Sequence, residues 1–208
     1  MKICIIIYHK NVTKIYPLWW VETCKQSLLN QTYNKFDVLE CCYGGEEYRV
    51  FENSDFEVQD FPNFVHAMNY LLDKAFNNGY DYVLNVNLDD HYHTQRIEKQ
   101  LPFMEQGVEI ISSNFSLVRD NQIIHTHRFQ DLDIEKELDR GHNPVCHPVV
   151  AYSKMFWEQN RYVPTEIPYE DKLLWQRAIK NGNTFVILPD VLCYHRLHGN
   201  SVCQSENR

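Results

Sequence analysis

The stretch NVNLDDHYHTQRIEKQ, Asn85–Gln100, joins two patterns whose meeting decides the fold. It starts inside an apolar run (Tyr82, Val83, Leu84, Val86, Leu88) that stops abruptly at Asp89-Asp90. It ends in a helical pattern over 94–106, for which Thr94 is the expected cap. A buried strand running straight into a helix is half of a parallel crossover unit. The same alternation lies upstream. KICIIIY, Lys2–Tyr8, is a continuous β-branched run of the kind found in strands covered on both faces. Residues 15–30 follow with helical spacing (Leu18, Val21, Cys24, Leu28). FDVLECCYGG, Phe36–Gly45, reads as a second strand ended by two glycines, and FEVQDF, Phe56–Phe61, as a short third. Residues 63–78 place Phe64, Ala67, Met68, Leu71, Leu72 and Ala75 on one helix face, and Gly79 stops it. Alternating strands and helices predict a Rossmann-like α/β fold, with a central, mainly parallel mixed sheet flanked by helices.

Downstream the pattern changes. VEIISSNFSLVRDNQIIHTHRF, Val108–Phe129, reads as a strand and then a small antiparallel hairpin turning near Asp120-Asn121. Residues 130–143 are charged and polar, and are expected to form a mobile loop. HPVVAYSKMFWEQN, His147–Asn160, runs from strand into short helix. PYEDKLLWQRAIKNG, Pro168–Gly182, is a helix, and TFVILPDVLCYHRL, Thr184–Leu197, supplies two further short strands. At 208 residues the chain suits one domain, 1–208, with a first half over 1–106 and a second over 107–208.

Composition narrows the function. A net charge of −8 argues against general nucleic-acid binding, since phosphate contacts dominate that affinity. Seven cysteines (4, 24, 41, 42, 146, 193 and 203), odd in number and without a CxxC, suggest free thiols and a reducing, cytoplasmic setting. No apolar run has the length of a membrane span.

Ligands of open α/β sheets bind beyond the carboxyl ends of the strands, where Asp89 and Asp90 stand. Adjacent carboxylates repel unless something offsets their charge. A hard divalent ion, Mg²⁺ or Mn²⁺, does so with oxygen ligands. The plainer alternative is a polar strand-to-helix turn, where Asp and Asn are common. The chain holds neither GxxxxGK[ST] nor GxGxxG, so a nucleoside diphosphate bound here would need such an ion. Glu170 and Asp171, in a helix's first turn, are either dipole-stabilised caps or a proton acceptor.

Four segments together resemble glycosyltransferase family 2. NLDDHYHTQRIEKQ is similar to the family's strand ending in a DxD-type motif; PYEDKLLWQRAIKNG looks like its acidic helix; YHRLHGNSV resembles its closing motif; and SLLNQTYNKFDVLE resembles its first helix end and second strand. They occur in the family's order between Lys2 and Val202.

The resemblance implies a GT-A fold and an inverting transfer from a nucleoside-diphosphate sugar, with Mn²⁺ or Mg²⁺. UDP is the favoured carrier, with GDP and dTDP open, and the acceptor is a hydroxyl of a glycan or other small molecule. By motif position, Asn87 and Asp89 take the outer DxD places around Leu88, and Asp90 follows. Asp89 is then the leading metal ligand. Asn87 or Asp90 supports it or contacts the donor's ribose. Asp171 is the general base, with Glu170 as alternative. Arg177 and Arg196 are candidates for the diphosphate, and His195 and His198 for the metal or a phosphate. The family's acidic residue at the end of the second strand is missing from CCYGG. Tyr8, His9, Asp60 and Asn69 are therefore the candidates for the rest of the donor pocket. Acceptor choice is expected from residues 116–143.

The resemblance further suggests a catalytic domain, minimal or cut from a longer chain. A nucleotidyltransferase would carry a glycine-rich basic loop after the first strand, where this chain has YHKNVTK. A non-catalytic sugar- or nucleotide-binding module would use Trp19, Trp20, Trp157 or Trp175 for stacking.

Overall fold

The computed structural model describes residues 1–129 and 132–199. The first half is β1 (Ile3–His9), α1 (Val12–Ile15), α2 (Leu18–Leu29), β2 (Asp37–Tyr43), β3 (Asp55–Gln59), α3 (Phe64–Asn77), β4 (Tyr82–Val86), β5 (His91–Tyr92) and α4 (Arg96–Glu105). The second is β6 (Ile110–Arg119), β7 (Gln122–His127), α5 (Ile134–Asp139), β8 (Ala151–Ser153), α6 (Lys154–Gln159), α7 (Glu170–Lys180) and β9 (Phe185–Arg196), with 3-10 turns at His147–Val149 and Pro164–Glu166. The strands form one sheet in the order β3-β2-β1-β4-β8-β6-β9-β5, with β7 paired to β6. Pairings β3-β2-β1-β4 are parallel, as is β6-β9; β8 joins the two groups antiparallel to both.

The β-branched run of β1 is buried on both faces because successive side chains point to opposite sides of the sheet. Cys4 and Ile6 enter one core with Val65, Met68, Leu72, Trp157 and Trp175. Ile3, Ile5 and Ile7 enter the other with Val21, Cys24, Leu28 and Ile97. Trp157 and Trp175 are wholly buried and serve packing rather than sugar stacking. The hairpin turns where expected, with Asp120 and Asn121 both at positive φ, as a tight turn between twisted strands requires.

Three local expectations are corrected. Thr94 does not cap α4: Gln95 takes that position without a side-chain cap bond, and the Thr94 carbonyl accepts from the Thr32 N–H instead. The expected loop over 130–143 contains α5, whose start is capped by Asp133 accepting from the Lys136 N–H. Gln130 and Asp131 of that segment lie outside the described residues. The two strands expected over Thr184–Leu197 are one strand, β9, whose register with β6 shifts around Asn114. Pro189 cannot donate to a ladder, and the Asn114 side chain donates to its carbonyl at 2.7 Å across the irregularity.

Candidate active site

Parallel pairing aligns the strand ends. His9 of β1 stands level with Cys42 of β2, and Ile7 of β1 is level with Val86 of β4. The chain therefore delivers the segments after β1, β2 and β4 to one edge. A cavity of about 380 Å³ opens there. Its lining includes Tyr8, His9, Lys10, Tyr43 and Phe64 from the first two strand ends and α3, Asn87, Leu88 and Asp89 from the end of β4, His195 from β9, and Asn143, His147, Glu170 and Asp171 from the second half.

The acidic strand end is organised by an element too short to read from sequence. Strand β5 pairs antiparallel with β9, His91 against Tyr194 and Tyr92 against Cys193. That ladder brings Asp89-Asp90 against the chain's closing segment. Asp90 is fully buried and does not line the cavity. Its carboxylate contacts His195 Nδ1 at 3.0 Å and accepts from the Arg196 backbone N–H at 2.9 Å. Burial works against a charged His195 ring, but the Asp90 carboxylate outweighs it and pushes the pKa up to about 9. Asp89 meets His198 instead, carboxylate oxygen to ring Nε2 at 2.9 Å. Tyr16 and Trp20 pack around that ring. The Arg196 guanidinium lies over Trp19 and Trp20 and is not among the cavity's walls. Asn200–Val202 of the closing motif, and Cys203, lie outside the described residues.

The lining also holds the candidate proton acceptor, Asp171. Asp171, in the first turn of α7, is partly buried, and the loss of water around it pushes its pKa up to about 6 against the pull of hydrogen bonds from the Lys172 N–H and the Asn143 amide. Those bonds measure 2.6 and 2.8 Å. The Asn143 oxygen accepts from the Val145 N–H, which sets the amide's orientation. A carboxylate poised near neutrality can accept a proton from a hydroxyl in its transition state. Glu170 lines the cavity beside it. His147, also in the wall, is held neutral by burial, which lowers its pKa to about 4.

Besides Asp90, four residues expected at the donor pocket are not brought to the cavity. Asn69 donates to the Tyr162 carbonyl at 3.0 Å and ties α3 to the segment before α7. Arg177 forms a two-oxygen ion pair with Glu166 at 2.7 and 2.8 Å, because its turn of α7 faces the Pro164–Glu166 helix. Asp60 is exposed and flanks Gly44 opposite Lys10. Arg196 is taken up by the two tryptophans. Sequence reasoning missed Asn143, which lies in a polar stretch without periodicity. It also missed Glu40, a fully buried carboxylate in β2 that contacts His9.

Among the described residues no group of three or more His, Cys, Asp or Glu side chains is placed to hold a metal ion. Asp89 and His198 nevertheless present an oxygen and a ring nitrogen side by side. These donor types suit a divalent ion that keeps open positions for a substrate's oxygens.

No protein-family model matches the chain. The O-antigen biosynthesis glycosyltransferase WbnJ of Escherichia coli is 22% identical over 200 residues, covering 89% of this chain and 78% of that one. The amylovoran biosynthesis glycosyltransferase AmsE of Erwinia amylovora is 27% identical over 188 residues, covering 83% and 68%. Among solved structures, S. aureus TarS 1-349 in complex with UDP-GlcNAc matches with a TM-score of 0.72 at 16% identity, over 99% of this chain and 61% of that one. The same protein in complex with UDP matches with a TM-score of 0.70 at 15% identity, over 95% and 61%. The chain thus spans about three-fifths of those solved chains. The resemblance carried by the four motifs holds: named glycosyltransferases are relatives of this chain, and the fold is GT-A-like. Among the described residues no helix is long and apolar enough to cross a membrane.

Proposed function

We propose that this chain, a relative of glycosyltransferases with a GT-A-like fold, is an inverting, metal-dependent glycosyltransferase. It moves a sugar from a nucleoside-diphosphate sugar, with UDP as the favoured carrier, to a hydroxyl of a glycan or other small acceptor. The observation that carries this reading is one cavity lined by both Asp89, whose carboxylate meets His198, and Asp171, a partly buried carboxyl whose pKa desolvation pushes up to about 6.

Asp171 takes the proton of the acceptor hydroxyl. The freed oxygen's electron pair attacks the anomeric carbon from the face opposite the diphosphate, the carbon–oxygen bond to that group breaks, and its electrons leave with the nucleoside diphosphate. One displacement inverts the anomeric configuration. Asn143 and the Lys172 N–H hold the carboxylate's direction. Asp89 and His198 would hold Mn²⁺ or Mg²⁺, which when bound offsets the charge developing on the leaving diphosphate. We assign His198 rather than His195 to the metal, because the His195 ring is paired with Asp90 and held protonated, which suits it to donate to a phosphate. Tyr8, Tyr43 and Phe64, also in the lining, offer apolar area for a nucleobase.

The test is calorimetric titration with UDP, GDP and dTDP, with and without Mn²⁺, in the wild type and in Asp89→Ala, followed by an assay of UDP release from UDP-GlcNAc. Metal-dependent binding of one nucleotide that Asp89→Ala loses, together with nucleotide release, is the expected result. Binding without any release under added acceptors points to a non-catalytic module, and no binding at all overturns the proposal.

A further inference from the structure

The charged groups of the cavity are unevenly shared between its elements. Lys10 and His195 are cations of the lining, and both belong with the strand ends: Lys10 follows β1, and His195 is held against Asp90, the neighbour of Asp89. At the first turn of α7 the balance is reversed. Glu170 and Asp171 both line the cavity there. Asp171 is ionised above about pH 6, so at neutral pH this turn carries at least one negative charge. The charge of Glu170 adds to burial in raising the pKa values of Tyr8 and Tyr152, so the groups it faces include two phenols. The cations of the neighbouring segments are committed elsewhere. Lys172 Nζ reaches the Gly141 carbonyl at 3.1 Å, Arg177 pairs with Glu166, and Arg140 and His142 both pair with Glu137. None of these four forms an ion pair with Asp171, whose own contacts are the Asn143 amide and the Lys172 N–H. His147, which shares the lining with the two carboxyls, is held neutral by its burial.

We infer that the first turn of α7 selects the acceptor by charge: the attacked hydroxyl belongs to an uncharged sugar, and Glu170 and Asp171 together turn away sugars that carry a carboxylate or phosphate beside it. The inference rests on the proposed transfer to a hydroxyl with Asp171 as the base. That hydroxyl must come within hydrogen-bond reach of the Asp171 carboxylate. An anionic group on the same sugar ring is then brought close to both carboxyls, where like charges in a partly dehydrated site repel strongly. A site made for an anionic acceptor would aim an Arg or Lys at it. Here Lys172 turns to a backbone carbonyl and Arg177 to Glu166. The hydroxyls of a neutral sugar can donate to a carboxylate, so the second carboxyl costs such an acceptor nothing. The donor's diphosphate is anionic too, but it has Lys10, His195 and the proposed metal ion at the strand ends. Glu170 is thus a specificity-determining residue, which adds to the field that repels anions without taking the proton.

The experiment measures transfer by the full chain from UDP-GlcNAc, with Mn²⁺, to p-nitrophenyl hexosides of the gluco, galacto and manno series and to the matching hexuronides, which differ at C6 alone. The matching hexuronamides keep the shape of the hexuronides and lose the charge. Wild type and Glu170→Gln are compared, with UDP binding and thermal unfolding as checks. The expected wild type uses at least one hexoside with a kcat/KM at least about tenfold above that of its hexuronide, the scale of one like-charge contact, and the hexuronamide goes with the hexoside. In Glu170→Gln the ratio of hexoside to hexuronide falls by at least about threefold, because one carboxylate is gone. The ratio is read within each variant, so a general loss of turnover does not move it. A wild type that uses both acceptors equally, or that rejects the hexuronamide as strongly as the hexuronide, overturns the inference even where the variant does not fold. A folded Glu170→Gln that keeps the full ratio overturns it, as does one that has lost turnover on every acceptor, since Glu170 then serves the transfer itself. A wild type that binds UDP but transfers to none of the hexosides also overturns it, and in each of these cases the glycosyltransferase reading stands. A wild type that binds no UDP brings down the proposed function, and this inference with it.

Discussion

The two long walls of the cavity are built in different ways. The wall formed by Tyr8, His9, Asn87, Leu88 and Asp89 comes from the last two residues of β1 and those that directly follow β4, adjacent parallel strands whose register places their ends side by side. Each side chain there is within a few residues of a strand whose apolar run is plain. The other comes from Asn143, His147, Glu170 and Asp171, on two separate segments joined by side-chain bonds. Asn143 donates to Asp171, Lys172 Nζ reaches the Gly141 carbonyl at 3.1 Å, and the Gln176 amide reaches the Leu138 carbonyl at 3.3 Å. One wall is set by the backbone ladder of the sheet, the other by polar contacts between α7 and the segment around α5. The first is expected to resist single polar substitutions, and the second to feel them directly.

The largest expected effect lies in the second wall. Asp171→Asn removes the proton acceptor, and turnover should fall by about 10² to 10⁴, the usual worth of a positioned base, while UDP affinity measured by calorimetry stays within about twofold. Full retained turnover would remove Asp171 from its role and leave Glu170 to be tested.

The same variant is expected to be more thermally stable than the wild type at pH 8. The folded-state pKa of Asp171 is raised, so between its ordinary value and about 6 the folded chain binds the proton that the unfolded chain has released. Stability at this group therefore falls as pH rises through that window and stays low above it. Removing the charge recovers the loss, and the advantage should shrink as pH falls from 6 toward 4. An advantage independent of pH would mean that burial of this carboxylate is not its source.

Next in size is a test of the core beneath the second wall. Trp175 is wholly buried on α7, among Tyr152, Phe156 and Tyr162. Trp175→Ala should cost about 3–5 kcal/mol in chemical denaturation, as large aromatic truncations do. A cost below about 1 kcal/mol would mean that α7 is held mainly by its polar contacts.

The smallest effect sharpens the contrast between the walls. Asn143→Ala should lower turnover by about five- to tenfold, the scale of one ordinary hydrogen bond. It should also move the acidic limb of the pH–rate profile upward from about 6, because the lost bond favoured the ionised carboxylate. The expected KM for donor is unchanged. A pH profile identical to the wild type would show that Asn143 does not act through Asp171.

Legibility follows the same division. Periodicity identified β1, β2, β4, α2, α3 and α7, because each buries a face whose spacing is written in the chain. Asp89 and Asp171 were found through the motifs around them, and both line the cavity. Asp90 sits next to Asp89 in sequence but points away from the cavity, into a contact with His195 and Arg196 that a two-residue strand creates. Arg177 and Asn69 lie on correctly read helices, yet their partners are Glu166 and the Tyr162 carbonyl, groups no spacing rule connects to them. Asn143 and Glu40 gave no signal, one because polar loops lack a period, the other because a buried Glu in a strand looks like an exception until the Val50 and Phe51 N–H groups and the Ser54 hydroxyl that donate to it are in place.

The sequence by itself determined the alternation of buried strands and helices, the parallel first half, and the carboxylates at a strand end and a helix start, because hydrophobic burial acts through short, regular spacing. Only the tertiary structure decided which carboxylate faces the cavity, which histidine meets which aspartate, and which arginines are consumed by packing. Those outcomes depend on long-range pairings such as β5 with β9 and Asn143 with Asp171, where single hydrogen bonds between residues far apart in the chain choose among side chains that look equivalent in one dimension.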